Sequence, residues 1–303
     1  MLSLDDFKRI SLGDKPVFDK HYEKYPPVHS DNLFTTMISW MEYSNYHYVV
    51  VDENIVIMTQ LNNKIRLRPP SGKQNRELLK QVLSLAVQEG SDDPFGVVNA
   101  KMKEWIEKEF PKLKFLEHRD YFDYVYLASD LANLAGAGYS KIRNRLNKFK
   151  KNHAYSTEAI SEENMDEVNE FLKRWCLWKD CDSDVVLANE KKAIFYSMAH
   201  FFDLGLSGLL IRISGNIEAL AVYEKMSPDT AVVHYEKGSP YFDGIYKAIN
   251  METAKILQKD FTFINREEDM GIPGLRQAKM SYRPHHMVEV FHVKKEDIVK
   301  NIL

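Results

Sequence analysis

Residues 263–284, Phe-Ile-Asn-Arg-Glu-Glu-Asp-Met-Gly-Ile-Pro-Gly-Leu-Arg-Gln-Ala-Lys-Met-Ser-Tyr-Arg-Pro, carry more reactive side chains per position than any other stretch of the chain. Glu267, Glu268 and Asp269 follow a short strand-like run that ends at Asn265. A carboxylate there could accept a proton from an attacking amine or hydroxyl, or hold the ammonium group of an aminoacyl donor. The competing use is to favour the positive N-terminus of the next helix, worth about 0.3–1 kcal/mol. Arg276, Lys279 and Arg283 recur at i, i+3 and i+7, which predicts three cations along one helical face, with Leu275, Ala278 and Tyr282 on the adjoining one. Acyl transfer develops negative charge on oxygen, so a fixed cation beside the carbonyl lowers its barrier. Salt bridges back to 267–269 would use the same charges.

A second cluster, Ser140–Lys151, reads Ser-Lys-Ile-Arg-Asn-Arg-Leu-Asn-Lys-Phe-Lys-Lys, with six cations and no acid. Ile142, Leu146 and Phe149 fall at i, i+4 and i+7, so one face packs while Lys141, Arg145 and Lys148 line a neighbouring face. Cations in a first turn oppose the helix dipole by a few tenths of a kcal/mol. A polyanion would offset that cost, and phosphate suits both Arg forks and Lys point charges. A solvated charged helix without ligand is the alternative.

Other candidates are weaker. His234 and Tyr235 alternate on a strand, so only one can face a cleft. His285 and His286 follow Pro284 in an extended run that is expected to point the two rings apart, away from a shared metal. Cys176 and Cys181 are the only cysteines and lack finger-like partners, so they read as interior, reduced thiols. No Ser-His-Asp order, Walker loop or His-Glu-x-x-His helix is present.

The elements that must position these groups form a repeated order. In the first half, a helix over 34–43 precedes strands at 46–51, 55–60 and 64–68, a helix over 75–89 stopped by Gly90, a strand at 95–99, a helix over 101–110 and a strand at 121–127. The second half has helices over 161–178, with Ser161 as N-cap, and 188–204, then strands at 209–214, 219–226 and 231–236. A helix over 242–258, a strand at 261–265, a helix over 273–282 and a strand at 287–293 complete it. Each half thus runs as three antiparallel strands, helix, strand, helix, strand. That predicts two copies of one mixed α/β unit, an N-terminal domain over 1–150 and a C-terminal domain over 151–303 that carries the candidate site.

Composition agrees with a folded chain. At 303 residues, two cores are expected, and 44% apolar with 28% charged residues argues against long disorder. A formal charge of -3 excludes a generally basic coat, so any anion site is a local patch. The opening Met-Leu-Ser-Leu-Asp-Asp lacks the features of an export signal, and no run approaches the roughly 20 apolar residues that span a bilayer, so a cytoplasmic location is expected.

The two signatures, Leu-Ala-Gly-Ala-Gly-Tyr-Ser-Lys-Ile-Arg-Asn-Arg-Leu-Asn-Lys-Phe and Phe-Ile-Asn-Arg through Ser-Tyr-Arg-Pro, together resemble a domain of unknown function related to the C-terminal catalytic region of phosphatidylglycerol lysyltransferases. The resemblance covers most of the chain. It implies two tandem GNAT (acetyltransferase-type) domains and kinship with Fem-type transferases, which move an amino acid from aminoacyl-tRNA onto peptidoglycan precursors. It further implies that the basic helix meets tRNA or lipid phosphate and that an acceptor lies in a cleft between the domains. The lipid-modifying enzymes carry an N-terminal membrane region that this sequence does not show, which weighs against a bilayer lipid as acceptor. An acetyl-CoA enzyme would place a Gly-rich loop where this chain has Glu-Lys-Gly-Ser-Pro-Tyr-Phe-Asp-Gly at 236–244, and Pro240 removes a donor.

The expected activity is therefore aminoacyl or acyl transfer from aminoacyl-tRNA, or else acyl-CoA, to a small molecule, lipid head-group or peptide bearing an amine or hydroxyl. Arg276 or Lys279 would stabilise the oxyanion, and Glu267 or Asp269 would handle the proton. Lys141, Arg143, Asn144, Arg145, Lys148, Tyr235, Asn265 and Tyr282 would contact substrate, with no metal or further cofactor required. The alternatives are a non-catalytic phosphate or RNA module and a CoA-dependent N-acetyltransferase.

Overall fold

The computed structural model describes residues 2–61, 64–88 and 91–303. Its contacts divide the chain into two compact units, Met1–Phe122 with Val288–Leu303, and Asp123–Met287. The division lies at 122/123 rather than at the expected 150/151, and the last residues return to the first unit. Strand pairing supplies the reason, as follows.

The first unit opens with β1 (Lys8–Arg9) and α1 (Lys15–Lys24), followed by α2 (Phe34–Ser39) and α3 (Met41–Ser44). The meander β2 (His47–Val51), β3 (Asn54–Leu61) and β4 (Lys64–Leu67) is antiparallel, as its alternation predicts. Helix α4 (Arg76–Ala86) is capped by Asn75, whose Oδ1 accepts the Leu78 amide at 3.0 Å, and it buries Leu78, Leu79, Val82 and Leu83. The expected end of this helix at Glu89 and Gly90 lies outside the described residues. Strand β5 (Phe95–Asn99), α5 (Ala100–Glu109) and β6 (Leu116–Glu117) follow.

The second unit contains β7 (Asp123–Leu127), α6 (Ala128–Asn133), α7 (Ser140–Asn152), β8 (Tyr155–Ala159), α8 (Met165–Lys179) and α9 (Val185–Ala199). It continues through β9 (Ser207–Ile213), β10 (Asn216–Lys225), β11 (Thr230–Gly238), α10 (Ile245–Leu257), β12 (Phe263–Asn265), α11 (Pro273–Ser281) and β13 (His286–Val288). The chain ends with β14 (Val290–Val293) and α12 (Lys295–Ile302).

Two mixed sheets result, ordered β1-β2-β3-β4-β5-β14-β6 and β13-β7-β12-β11-β10-β9-β8. The segment expected as one strand over 287–293 is interrupted at Glu289: β13 joins the second sheet, while β14 pairs antiparallel with β5 and β6. Conversely β7 pairs with β12 and so belongs to the second unit. Period-two hydrophobicity marks a strand but not its neighbour, which is why the division was misplaced.

Strand β8 was missed because it is an edge strand with no buried face. Ser161 does not cap α8. Asn164 sits there, its Oδ1 accepting the Ser161 amide at 2.9 Å and closing a turn before the helix. In α9 the first turn begins earlier than expected because Asp184 accepts the Val186 and Leu187 amides.

Packing is tight where β9 meets its neighbours. A Cβ at Gly208 would lie 2.4 Å from Ile160 Cδ1 and 2.9 Å from the Ala221 carbonyl oxygen. Gly208→Ala is expected to cost about 1–3 kcal/mol in urea unfolding, as overpacked core substitutions do. An unchanged midpoint would mean that Ile160 steps aside without loss.

Candidate functional site

The site lies wholly within the second unit, where two parallel strands part. Strands β11 and β12 pair through three positions only, Thr230, Ala231 and Val232 against Phe263, Ile264 and Asn265. Strand β11 runs on to Gly238 while β12 stops at Asn265, and beyond that point side-chain pairs link β11 to the segment after β12. His234 and Glu236 share one face of β11 by the two-residue period. Each meets a partner from the segment after β12: His234 Nδ1 lies 2.8 Å from Glu267 Oε1, and Arg266 pairs with Glu236. Carboxyl ends of parallel strands are where α/β sheets gather ligands.

His234 is buried between two carboxylates, with Nε2 also 2.9 Å from Glu224 Oε1. Burial opposes its charge, but the Glu224 and Glu267 carboxylates outweigh that and push its pKa up to about 10. It is therefore an imidazolium at neutral pH, with both N–H groups given to carboxylates. Glu267 reaches it through a left-handed backbone, φ 58°, steadied by Asn265 Oδ1 accepting the Glu267 amide at 2.7 Å.

Arg266 is buried between the Tyr126 and Tyr282 rings, its guanidinium carbon 5.8 and 5.1 Å from their centroids. Burial works against its charge and Glu236 prevails, so the guanidinium is held above its ordinary pKa. Glu236 also accepts Asn250 Nδ2 at 3.0 Å. Tyr282 also meets Lys247, whose ammonium lies 4.9 Å from the ring centroid. Burial, followed by the nearby Arg266 and Arg145 guanidiniums, lowers the Lys247 pKa. Lys247 thus stands electrostatically between the two sequence signatures.

The other expected site residues divide sharply. Asp269 is fully buried and accepts four hydrogen bonds, from Arg276 Nε and Nη2, both at 2.8 Å, the Tyr124 hydroxyl at 2.5 Å and the Gly271 amide at 2.9 Å. Burial raises its carboxyl pKa, and Arg276, Tyr124 and Gly271 together outweigh that, leaving it at about 2. Lys279 donates to the carbonyls of Arg266, Glu267 and Glu268 at 2.5, 3.0 and 2.5 Å, which uses all three ammonium protons. Burial lowers its pKa. Arg276 and Lys279 therefore hold the 266–271 turn in shape. Arg283 leaves the predicted helical face, because α11 ends at Ser281; its guanidinium covers Gly138, where a Cβ would come within 1.8 Å of it.

Asn265 is buried and donates to Asp123 at 2.7 Å. Tyr235 faces the opposite side of β11 and bonds Ser197 at 3.2 Å, away from His234. On α7, Ile142, Leu146 and Phe149 are buried as their spacing predicts. Arg143 donates to the Leu134 and Gly136 carbonyls, capping the preceding helix end. Lys141 and Asn144 are exposed. Arg145 and Lys148, also exposed, converge on Asp243 at 3.6 and 3.7 Å, just before α10. His285 and His286 do not point apart: their Nδ1 atoms lie 2.9 Å from each other, because β13 starts only at His286 and the extended run is shorter than expected.

Sequence reasoning passed over Glu224, Glu236, Lys247 and Arg266. The available signal was alternation: His234 and Glu236 are same-face polar residues that follow the apolar run Ala231–Val233 on one strand, a cost that demands partners. Among the described residues, no group of three or more His, Cys, Asp or Glu is placed to hold a metal, and no helix is long and apolar enough to cross a membrane.

Comparison with known proteins agrees with this architecture. The family described as phosphatidylglycerol lysyltransferase, C-terminal, matches residues 22–294. A conserved protein of unknown function from Bacteroides thetaiotaomicron is 30% identical, with TM-score 0.87 over 95% of this chain and 99% of that one. The structure of L-PGS from Bacillus licheniformis superposes with TM-score 0.64 at 12% identity, covering 93% of this chain and 92% of that one. FemX superposes with TM-score 0.58 at 10% identity, covering 97% and 98%. The two sheets are thus tandem GNAT-like domains. An uncharacterised protein of Mycoplasmoides gallisepticum is 22% identical over 194 residues, which span 62% of each chain.

Proposed function

We propose, on the premise that this chain belongs to the phosphatidylglycerol lysyltransferase C-terminal family, that it is an aminoacyltransferase-like enzyme whose donor is an aminoacyl-tRNA. The observation that carries the donor assignment is the convergence of Arg145 and Lys148 on Asp243, with Lys247 one turn further along α10. At 3.6 and 3.7 Å, Asp243 is a loose partner that a phosphate can displace, since phosphate carries more charge and more acceptors.

The acyl end is assigned to the opening between β11 and β12. An acceptor amine or hydroxyl attacks the ester carbonyl, the new C–N or C–O bond forms, the bond to the tRNA ribose oxygen breaks, and the acceptor's proton ends on that departing oxygen. Arg266 and Lys247 are the cations nearest the developing oxyanion in this reading, and His234, whose two N–H groups are both taken by Glu224 and Glu267, holds those carboxylates in place. Glu267 keeps His234 charged and Asp269 holds the turn that presents Glu267. Asp269, Arg276 and Lys279 thereby move from reacting groups to supports.

The test is tRNA binding across a salt series, followed by transfer. Replacing Lys141, Arg145 and Lys148 together by Ala is expected to weaken binding about tenfold or more and to reduce the salt slope by roughly 2–3. Asp243→Asn is expected to tighten it. Wild-type affinity and slope in the triple variant would remove the donor assignment. A panel of charged tRNAs with vesicles, small amines and peptides as acceptors then reads transfer itself. Tight binding without transfer to any acceptor favours a non-catalytic RNA module.

A further inference from the structure

Helix α8 ends at Lys179, and Asp180 turns the chain back with a left-handed backbone, φ 51°. The Cys181 amide then donates to the Cys176 carbonyl at 3.1 Å, and this closed turn sets Cys181 Sγ 2.7 Å from Cys176 Sγ. Both thiols are reduced. Cys181 is buried, whereas Cys176 is partly exposed and lines a cavity of about 250 Å³ with Lys173, Leu177, Asp182, Lys191 and Phe195. Two thiols held in contact by backbone, one of them facing a cavity large enough for a small oxidant, form a site that the transferase reading does not use.

We propose that Cys176 and Cys181 form a reversible intrachain disulfide on exposure to hydrogen peroxide, with Cys176 as the thiol that reacts with peroxide and Cys181 as the resolving one. The Cys176 sulfur attacks one peroxide oxygen, the O–O bond breaks, and the departing hydroxide takes up the thiol proton as water, leaving a sulfenic acid. The Cys181 sulfur attacks the Cys176 sulfur, the S–O bond breaks, and the hydroxyl leaves with the Cys181 proton as a second water. Two thiols are oxidised and one peroxide is reduced. A disulfide at about 2.05 Å requires the sulfurs to approach by less than about 1 Å, a shift that side-chain rotation supplies. Burial, and then the neighbouring Cys181, raise the Cys176 pKa, so little thiolate is present at neutral pH and the reaction answers sustained rather than trace peroxide. Lys191, held by Asp182 at 3.0 Å, and Lys237 oppose that rise.

Full-length protein treated with hydrogen peroxide is expected to lose two hydrogens in intact mass and both alkylatable thiols after unfolding, with dithiothreitol restoring both. Cys181→Ser is expected to stop at a sulfenic acid on Cys176 that dimedone traps. Cys176→Ser is expected to leave Cys181 unreactive in the folded protein. The proposal is overturned if both wild-type thiols stay alkylatable. It is equally overturned if Cys176 gains oxygens without the two-hydrogen loss, or if the bond forms between chains on a non-reducing gel. None of these readouts depends on transferase activity.

Discussion

Asp269→Asn is expected to lower stability by about 3 kcal/mol, because the buried carboxylate loses its charged hydrogen bonds while the Arg276 guanidinium, itself partly exposed, falls back on water. In thermal melts this corresponds to a drop of roughly 6–12 °C for a unit of this size. Asp269 gathers Arg276, Tyr124 and Gly271 around one carboxylate, and the neutral amide can satisfy only part of that set. The folded pKa of about 2 lies below the ordinary 3.8, so the contribution is complete above the unfolded value and is lost as pH falls through the folded one. The gap between wild type and variant should therefore be constant from neutral pH down to about 5 and shrink below that. A variant that melts like the wild type yet has lost transfer would return Asp269 to a role in the chemistry.

His234→Gln is expected to show the opposite pH dependence. The His234 pKa is raised from 6.5 to about 10, so its stabilising contribution is complete below the unfolded value and disappears as pH rises through the folded one. The shift corresponds to on the order of 3 kcal/mol at pH 6, allowing for its sharing among three coupled groups. Glutamine keeps a donor but no charge, leaving Glu224 and Glu267 facing each other without a cation. Urea unfolding at several pH values between 6 and 10 should show the penalty narrowing steadily. A penalty independent of pH would mean that the histidine is neutral in the folded protein, and would remove it as the cation that holds Glu224 and Glu267 together.

These two residues mark how far linear reasoning reached. The acids after Asn265 were visible as a cluster, yet their duties depend on partners far along the chain: Tyr124 for Asp269 and His234 for Glu267. Spacing cannot reveal such partners, because hydrogen-bond satisfaction inside a core is settled by which strands lie side by side. The same holds for Lys279, where i, i+3, i+7 periodicity placed the residue on a helix face without showing that three carbonyls of the preceding turn would take its protons.

Periodicity alone determined most of the elements, the mixed α/β class, and the packed and solvated faces of α7, because local hydrophobic pattern and capping act over a few residues and are written in order along the chain. Resemblance across the two signatures added the family. The tertiary structure decided which sheet each strand joins, sending β7 to the second unit and returning β14 to the first. It also decided which charges are spent on the 266–271 turn and which pair between β11 and the segment after β12. The first outcome rests on pairing between distant residues, such as Ile264 with Tyr126, and the second on side-chain partners such as Glu267 for His234, 33 positions apart, where neither register nor partner is encoded by any local repeat. In the proposed reading, the stretch singled out from sequence is thus the frame, and His234, Glu236, Lys247 and Arg266 are the groups that the frame presents.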